Sequence, residues 1–290
     1  MNQEMAYLLG MILGNGEVQR GSSETTFVIE IPHKNQYTDS KEDTATCVKA
    51  SIVDIAGIIV PLVGTSLKVV QNERATQISF KKSNDEYITR ELVRLIGTGT
   101  RQQTMRMAPE LFSLPKDQRK TLMRGVADVT AYIRSSNIGY GQPGFYRVYI
   151  EVPANWYMVA DIANMLKSID IPVQTIDWGH PNFRDPNRKK YDEGYPMFWK
   201  KEHQIKIYAN EFLPIGFNVS HKQKALEKYA AEVLKYFSAS KTHKFYWESR
   251  ITHKNHAPHP GENDPSLPPE IRGQHFSSWT EIAELLGYGK

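Results

Sequence analysis

Cysteine is all but missing from this 290-residue chain. Cys47 is the one thiol, which excludes an internal disulfide framework and any zinc site built on several thiolates. An excess of charge is scarce too: 36 Lys and Arg stand against 32 Asp and Glu. A surplus of +4 favours a polyanionic partner only where it is concentrated. Long apolar runs are lacking. The longest, Ile52–Val63, is broken by Asp54, Gly57 and Pro61 and falls short of the ~20 residues that span a bilayer. The apolar stretch Met5–Leu13 has no basic region before it and no small-residue cleavage site after it, so a domain helix is expected there and not a secretory leader. The expectation is a soluble, cytoplasmic protein without a membrane partner. What the chain does have is 40% apolar residues, enough to bury a core in one large domain or two small ones.

The sequence repeats itself. Phe27–Pro32 (FVIEIP) and Val148–Pro153 (VYIEVP) both alternate and both stop at proline, as half-buried strands do. Each follows a glycine-containing apolar stretch with helical character, Ala6–Gly16 and Lys120–Ala131. Each precedes a helical pattern, about Ala45–Val63 and Trp156–Ile169. Strand-like segments come next: Lys68–Phe80 in one half, Val173–Asp177 and Gln204–Tyr208 in the other. A helix then closes each half, Asn84–Ile96 and Lys222–Phe237. Gly125 lies 115 residues after Gly10, and Glu151 lies 121 after Glu30. Matching order across both halves is the signature of an internal repeat.

Glycine inside a helix costs about 1 kcal/mol relative to alanine, so Gly10 and Gly14, four apart on one face, need a compensating contact. The simplest is a second helix approaching backbone to backbone through Gly125. Leu8–Gly16 and Met123–Ala131 together resemble the two motif helices of the LAGLIDADG homing endonuclease family. Arg106, Pro109, Phe112 and Arg119 resemble the family's approach to its second motif. Phe212–Phe217 followed by His221–Lys224 resembles the helix closing the second repeat. The resemblance covers about residues 1–240. It implies an α/β (α+β) fold of two αββαββα repeats, 1–115 and 116–240, whose antiparallel sheets form a saddle over double-stranded DNA. Residues 241–290 would be a C-terminal extension. It further implies a monomer with internal pseudo-twofold symmetry and a Mg²⁺-dependent DNA endonuclease, in homing or restriction.

The chain departs from the family where its chemistry resides. Active members end each motif helix with a carboxylate that holds divalent metal between the scissile phosphates. Here those positions are Asn15, which offers a carbonyl oxygen without charge, and Thr130, which offers a hydroxyl. Glu17 and Asp128 are the nearest acids, so Asn15, Glu17 and Asp128 are the candidate metal ligands. Asp128 matches the motif's first Asp, a residue that often packs or caps instead. Lys222, at the start of the closing helix, is a candidate to stabilise charge on phosphate, with Arg101 its rough counterpart after the first repeat. The missing carboxylates leave a second reading open, a non-cleaving DNA- or RNA-binding derivative acting in transcription or splicing.

Cations cluster between Pro181 and Lys206: Arg184, Arg188, Lys189, Lys190, Lys200, Lys201 and Lys206, interleaved with five aromatics. They are expected to contact phosphate and release counterions. The first half offers Lys68, Arg74, Lys81 and Lys82, with Gln71, Asn72 and Gln77 as candidate base readers, because amides pair bidentately with adenine. The extension carries His253, His256 and His259. Prolines interrupt that spacing and no cysteine is near, so it reads as a polar loop ahead of a short amphipathic helix over Ser278–Leu286.

Overall fold

The computed structural model describes residues 1–36, 38, 43–136, 145–153, 155–180, 202–239 and 284–285. The first half runs α1 (Gln3–Asn15), β1 (Gly16–Arg20), β2 (Glu24–Pro32), α2 (Thr44–Val63), β3 (Lys68–Gln71), β4 (Ala75–Ser83) and α3 (Tyr87–Ile96). The second runs α4 (Lys116–Thr130), β5 (Ala131–Ser136), β6 (Phe145–Pro153), α5 (Trp156–Ser168), β7 (Thr175–His180) and β8 (Glu202–Tyr208). It ends with the single turn α6 (Ala209–Phe212) and α7 (Ser220–Ala239). Both halves build a four-stranded antiparallel sheet in the same order, β1-β2-β4-β3 and β5-β6-β8-β7. The registers agree as well: Glu30 lies opposite Gln77, and Glu151 opposite Gln204.

Local chemistry sets the helix ends. Asn2 accepts from the Met5 backbone at 2.9 Å to open α1, and Asp43 does the same for Thr46 at the start of α2. Gly64, at φ 62°, closes α2 in the left-handed conformation that glycine takes without penalty. α3 starts three residues later than the sequence suggests. Asn84 is diverted into holding the β1–β2 turn, accepting from the Thr25 hydroxyl and donating to the carbonyls of Gly21 and Ser22.

The glycine faces meet. A Cβ built on Gly10 would stand 2.0 Å from the Leu122 carbonyl oxygen, and one on Gly125 would stand 2.2 Å from the Tyr7 carbonyl oxygen. Only glycine lets α1 and α4 approach this closely, backbone against backbone. The core continues from this seam onto the inner faces of both sheets, through Phe27, Ile29 and Ile78 on one side and Ile133, Ile150 and Ile205 on the other.

α2 corrects the expectation of a short apolar run. It is 20 residues long, and by length and composition it could cross a membrane. Pro61 sits in its last turn and interrupts little of the hydrogen-bond ladder. Cys47, Ser51, Ile55, Ile59 and Val63 form a buried face, while Val53 and Val60 are exposed. The expected helix Ser278–Leu286 lies outside the described residues except for Glu284 and Leu285, which are helical. His253, His256 and His259 also lie outside them.

Candidate nucleic-acid interface and the helix-end cavity

The ends of α1 and α4 are where a paired metal site would form, and the two ends differ. At the end of α4 every candidate is turned inward. The Asp128 carboxylate is fully buried, accepting from the Tyr7 hydroxyl at 2.7 Å and from the backbone N–H groups of Asn218 (3.1 Å) and Val219 (3.4 Å). Burial pushes its pKa up to about 6, against the pull of Lys222 and these donors. The Thr130 hydroxyl donates back to the Val126 carbonyl at 2.6 Å. Lys222 is wholly buried, and its ammonium donates to the Asp128 and Ala131 carbonyls, both at 2.8 Å. A cation there satisfies orphan carbonyls at a helix C-terminus. Burial pulls its pKa down to about 7. Lys222 therefore caps a helix and has no path to a phosphate, and Asp128 locks α1, α4 and the start of α7 together. The residues at this end do not fit a metal.

The end of α1 opens outward. Asn15 donates its side-chain amide to the Glu30 carbonyl at 3.0 Å. Beside it the chain after α3 returns along β1: Val18 donates to the Thr100 carbonyl, and Gln102 to that of Gly16. This return is pinned from the second half. Asn155 donates to the carbonyls of Gln102 and Met105, and Arg106 holds the buried Asp161 through two bonds of 2.8 and 2.9 Å. The result is a polar cavity of about 330 Å³ lined by Asn15, Glu17, Glu30, Gln77, Arg101 and Gln102, among others. Arg101 Nε stands 3.6 Å from Glu17 Oε1. Asn15 and Glu17 are thus brought together on one cavity, which Asp128 does not line. Among the described residues no cluster of three or more His, Cys, Asp or Glu could hold a metal. At this end, two carboxylates and amide oxygens are hard donors that fit a hydrated Mg²⁺, which would neutralise phosphate charge and stabilise a leaving oxygen.

Strand alternation sorts the remaining candidates. Lys68, Gln77 and Lys81 share the outer face of the first sheet with Gln19 and Ser79. Lys82 points to the helix side, where it pairs with Glu86 and donates to the Val63 carbonyl. Its expected DNA contact is corrected on that ground. Asn72 spends its side-chain oxygen on the Arg74 and Ala75 N–H groups, so it builds the β3–β4 turn and is no base reader. Arg74 lies in that exposed turn. Gln71, at the end of edge strand β3 and opposite Thr76, falls on the opposite alternation from Gln77.

On the second sheet, Lys206 shares the outer face with Arg134 and Arg147, which the sequence reading missed. Arg134 lies 4.8 Å from the Tyr149 ring centre, Lys206 lies 5.5 Å from the same ring, and Arg147 is 5.2 Å from Tyr208. Tyr132 stacks on Tyr149 at 5.0 Å. The available signal was strand parity: each of these cations is an even number of residues from an outward neighbour. Arg184, Arg188, Lys189, Lys190, Lys200 and Lys201 lie outside the described residues.

No protein-family model and no curated protein matches the chain. Solved structures are similar to it. I-DmoI in complex with DNA and Mn shares 12% identity at TM-score 0.37, over 76% of this chain and 96% of that one. The LAGLIDADG homing endonuclease I-GzeII in complex with its DNA target shares 7% at 0.44, over 88% and 98%. Full-length DUF199/WhiA from Thermatoga maritima shares 14% at 0.44, over 86% and 66%. Their TM-scores all lie below 0.5, and nothing of their activity or partners is carried over to this chain. Two αββαββα units joined through glycine-faced helices give this chain a LAGLIDADG-like fold, carried by its own sheet order and seam.

Proposed function

We propose that this chain is a sequence-specific double-stranded DNA-binding protein that lays the outer faces of its two sheets, as the two sides of a saddle, against the duplex. The observation that carries this reading is the outer face of the second sheet, where Arg134, Arg147 and Lys206 stand over tyrosine rings. Arg134 and Arg147 are half-buried there, a guanidinium ordered against a ring pairs with phosphate at little further entropic cost, and a strand pair fits the width of a major groove. Amides and hydroxyls on the first sheet, Gln19, Gln77 and Ser79, supply donors and acceptors for base edges. One chain with two unlike halves would act as a monomer with pseudo-twofold symmetry, reading an imperfectly symmetric site.

The activity we attach to this reading is divalent-metal-dependent DNA cleavage, in homing or restriction. Incubation with Mg²⁺ or Mn²⁺ and a complex DNA library tests it. Reproducible cuts at one sequence, lost in Glu17→Gln, establish the nuclease. Specific binding without cuts in either metal establishes the second reading, a regulator or splicing helper, which the inward turn of Asp128 favours.

A further inference from the structure

The turn that follows β2 reaches across to the other half of the chain. His33–Asn35 is a single 3₁₀ turn, and the residues in and after it bond to the second half. Asn35 donates its amide to the Thr130 carbonyl at 3.0 Å, Gln36 donates to that of Asp128 at 3.4 Å, and Thr38 bridges Ile133 on β5. On its own side the turn is held by His33, whose backbone N–H donates to the Arg74 carbonyl at 2.8 Å. So anchored, it delivers Lys34 to the outer face of the second sheet, where the ammonium stands 3.0 Å from Glu151 Oε2.

Glu151 is 3% exposed on that face. It accepts from Gln204 at 3.1 Å, and Gln204 also donates to the Tyr132 hydroxyl at 3.3 Å. Tyr149, two residues before Glu151 and on the same face, carries both Arg134 and Lys206 over its ring, at 4.8 and 5.5 Å. Lys206 lies opposite Tyr149 and so diagonal to Glu151, a spacing of about 7–8 Å that a lysine side chain closes. Burial works against the charge on Arg134, yet Tyr132, Tyr149 and Glu151 hold its pKa above the ordinary arginine value.

A buried carboxylate requires a counter-charge. Without Lys34, Glu151 would draw Arg134 or Lys206 down onto itself, and a cation held by an internal carboxylate is lost to phosphate. Glu30, the counterpart of Glu151 in the first sheet, accepts from Gln77 in the same way. It is only half-buried, and water screens its charge.

We infer that Lys34 is a positioning residue for DNA binding: as the resident counter-ion of Glu151, supplied by the first half, it keeps Arg134 and Lys206 of the second half available for phosphate. The inference rests on the DNA-binding reading and adds a dependence of one half's phosphate contacts on a side chain of the other. Lys34 is not itself the phosphate contact.

Titrations of the full chain with a mixed-sequence duplex at several salt concentrations test it. Lys34→Met should weaken binding by about tenfold and lower the salt slope by about 1, the mark of one lost phosphate contact. Lys34→Met with Glu151→Gln removes the carboxylate as well, so affinity and slope should both return to those of the unsubstituted chain. Lys34→Arg should keep them. Circular dichroism checks that each variant is folded, and where Lys34→Met alone does not fold, the neutral double variant decides. A slope that stays low in the folded double variant makes Lys34 a direct phosphate contact and overturns the inference. So does a folded Lys34→Met chain with an unchanged slope. Either result leaves the DNA-binding reading standing, whereas an unsubstituted chain that binds no duplex at low salt overturns both.

Discussion

Replacing Gly10 with alanine should force α1 and α4 apart. The new Cβ would lie 2.0 Å from the Leu122 carbonyl oxygen and 2.9 Å from its carbon. An ordinary C···O contact is about 3.3 Å or more, so the helices must separate by more than ~1 Å along a buried seam. Overpacking of this kind costs about 1–3 kcal/mol and more when nothing can yield. Here both walls are backbone, so the upper end applies. Helix propensity returns about 1 kcal/mol. A net loss of about 2 kcal/mol or more follows, a fall in melting temperature of about 4–8 °C for a chain of this size. Gly57→Ala is the internal control. It lies in α2 with nothing within 4 Å of the new methyl, and should gain up to about 1 kcal/mol. Gly10→Ala with Gly125→Ala should cost less than the sum, because one separation relieves both clashes. Thermal and urea melts followed by circular dichroism compare these variants, Gly125→Ala alone included, with the unsubstituted chain. A Gly10→Ala chain as stable as Gly57→Ala would refute the seam.

Stability should respond to pH through the buried pair beneath that seam. Asp128, raised to about 6, keeps when folded a proton that the unfolded chain has lost, so its contribution falls as pH rises from about 4 to 6. Lys222, lowered to about 7, binds fewer protons folded than unfolded, so its contribution rises from about pH 7 to 10. Urea melts across pH should show Asp128→Asn flattening the acid limb and Lys222→Met the alkaline one. Asp161→Asn leaves the partly exposed Arg106 facing a neutral amide where a two-bond ion pair stood, and should cost about 1–3 kcal/mol by the same melts. In DNA-binding titrations at several salt concentrations, Arg134→Ala and Arg147→Ala should each lower the salt slope by about 1, whereas Lys82→Ala, on the helix side, should leave it unchanged.

The element order was legible because its signals are local. FVIEIP and VYIEVP alternate with period two, a pattern that can be read without knowing any partner strand. The seam was legible for a different reason: glycine in a helix is unfavourable alone, so its presence at Gly10 and Gly125 announced a partner. The site was much less legible. Asp128 and Glu17 look alike as acids near helix ends, yet one faces Tyr7 and the other faces a cavity. Lys222 looked like a phosphate contact, and it closes a helix 91 residues back along the chain. Gln102 carried no signal, being one polar residue in a loop.

The sequence by itself determined the repeats, the alternation of the strands and the close approach of two helices, since propensity and periodicity act over a few residues. Only the tertiary structure decided which charges face outward and which are spent inside. A carboxylate's role depends on the donors around it and on its distance from water, and those donors arrive from Tyr7, Asn218 and Val219, roughly 90 to 120 residues away in the chain.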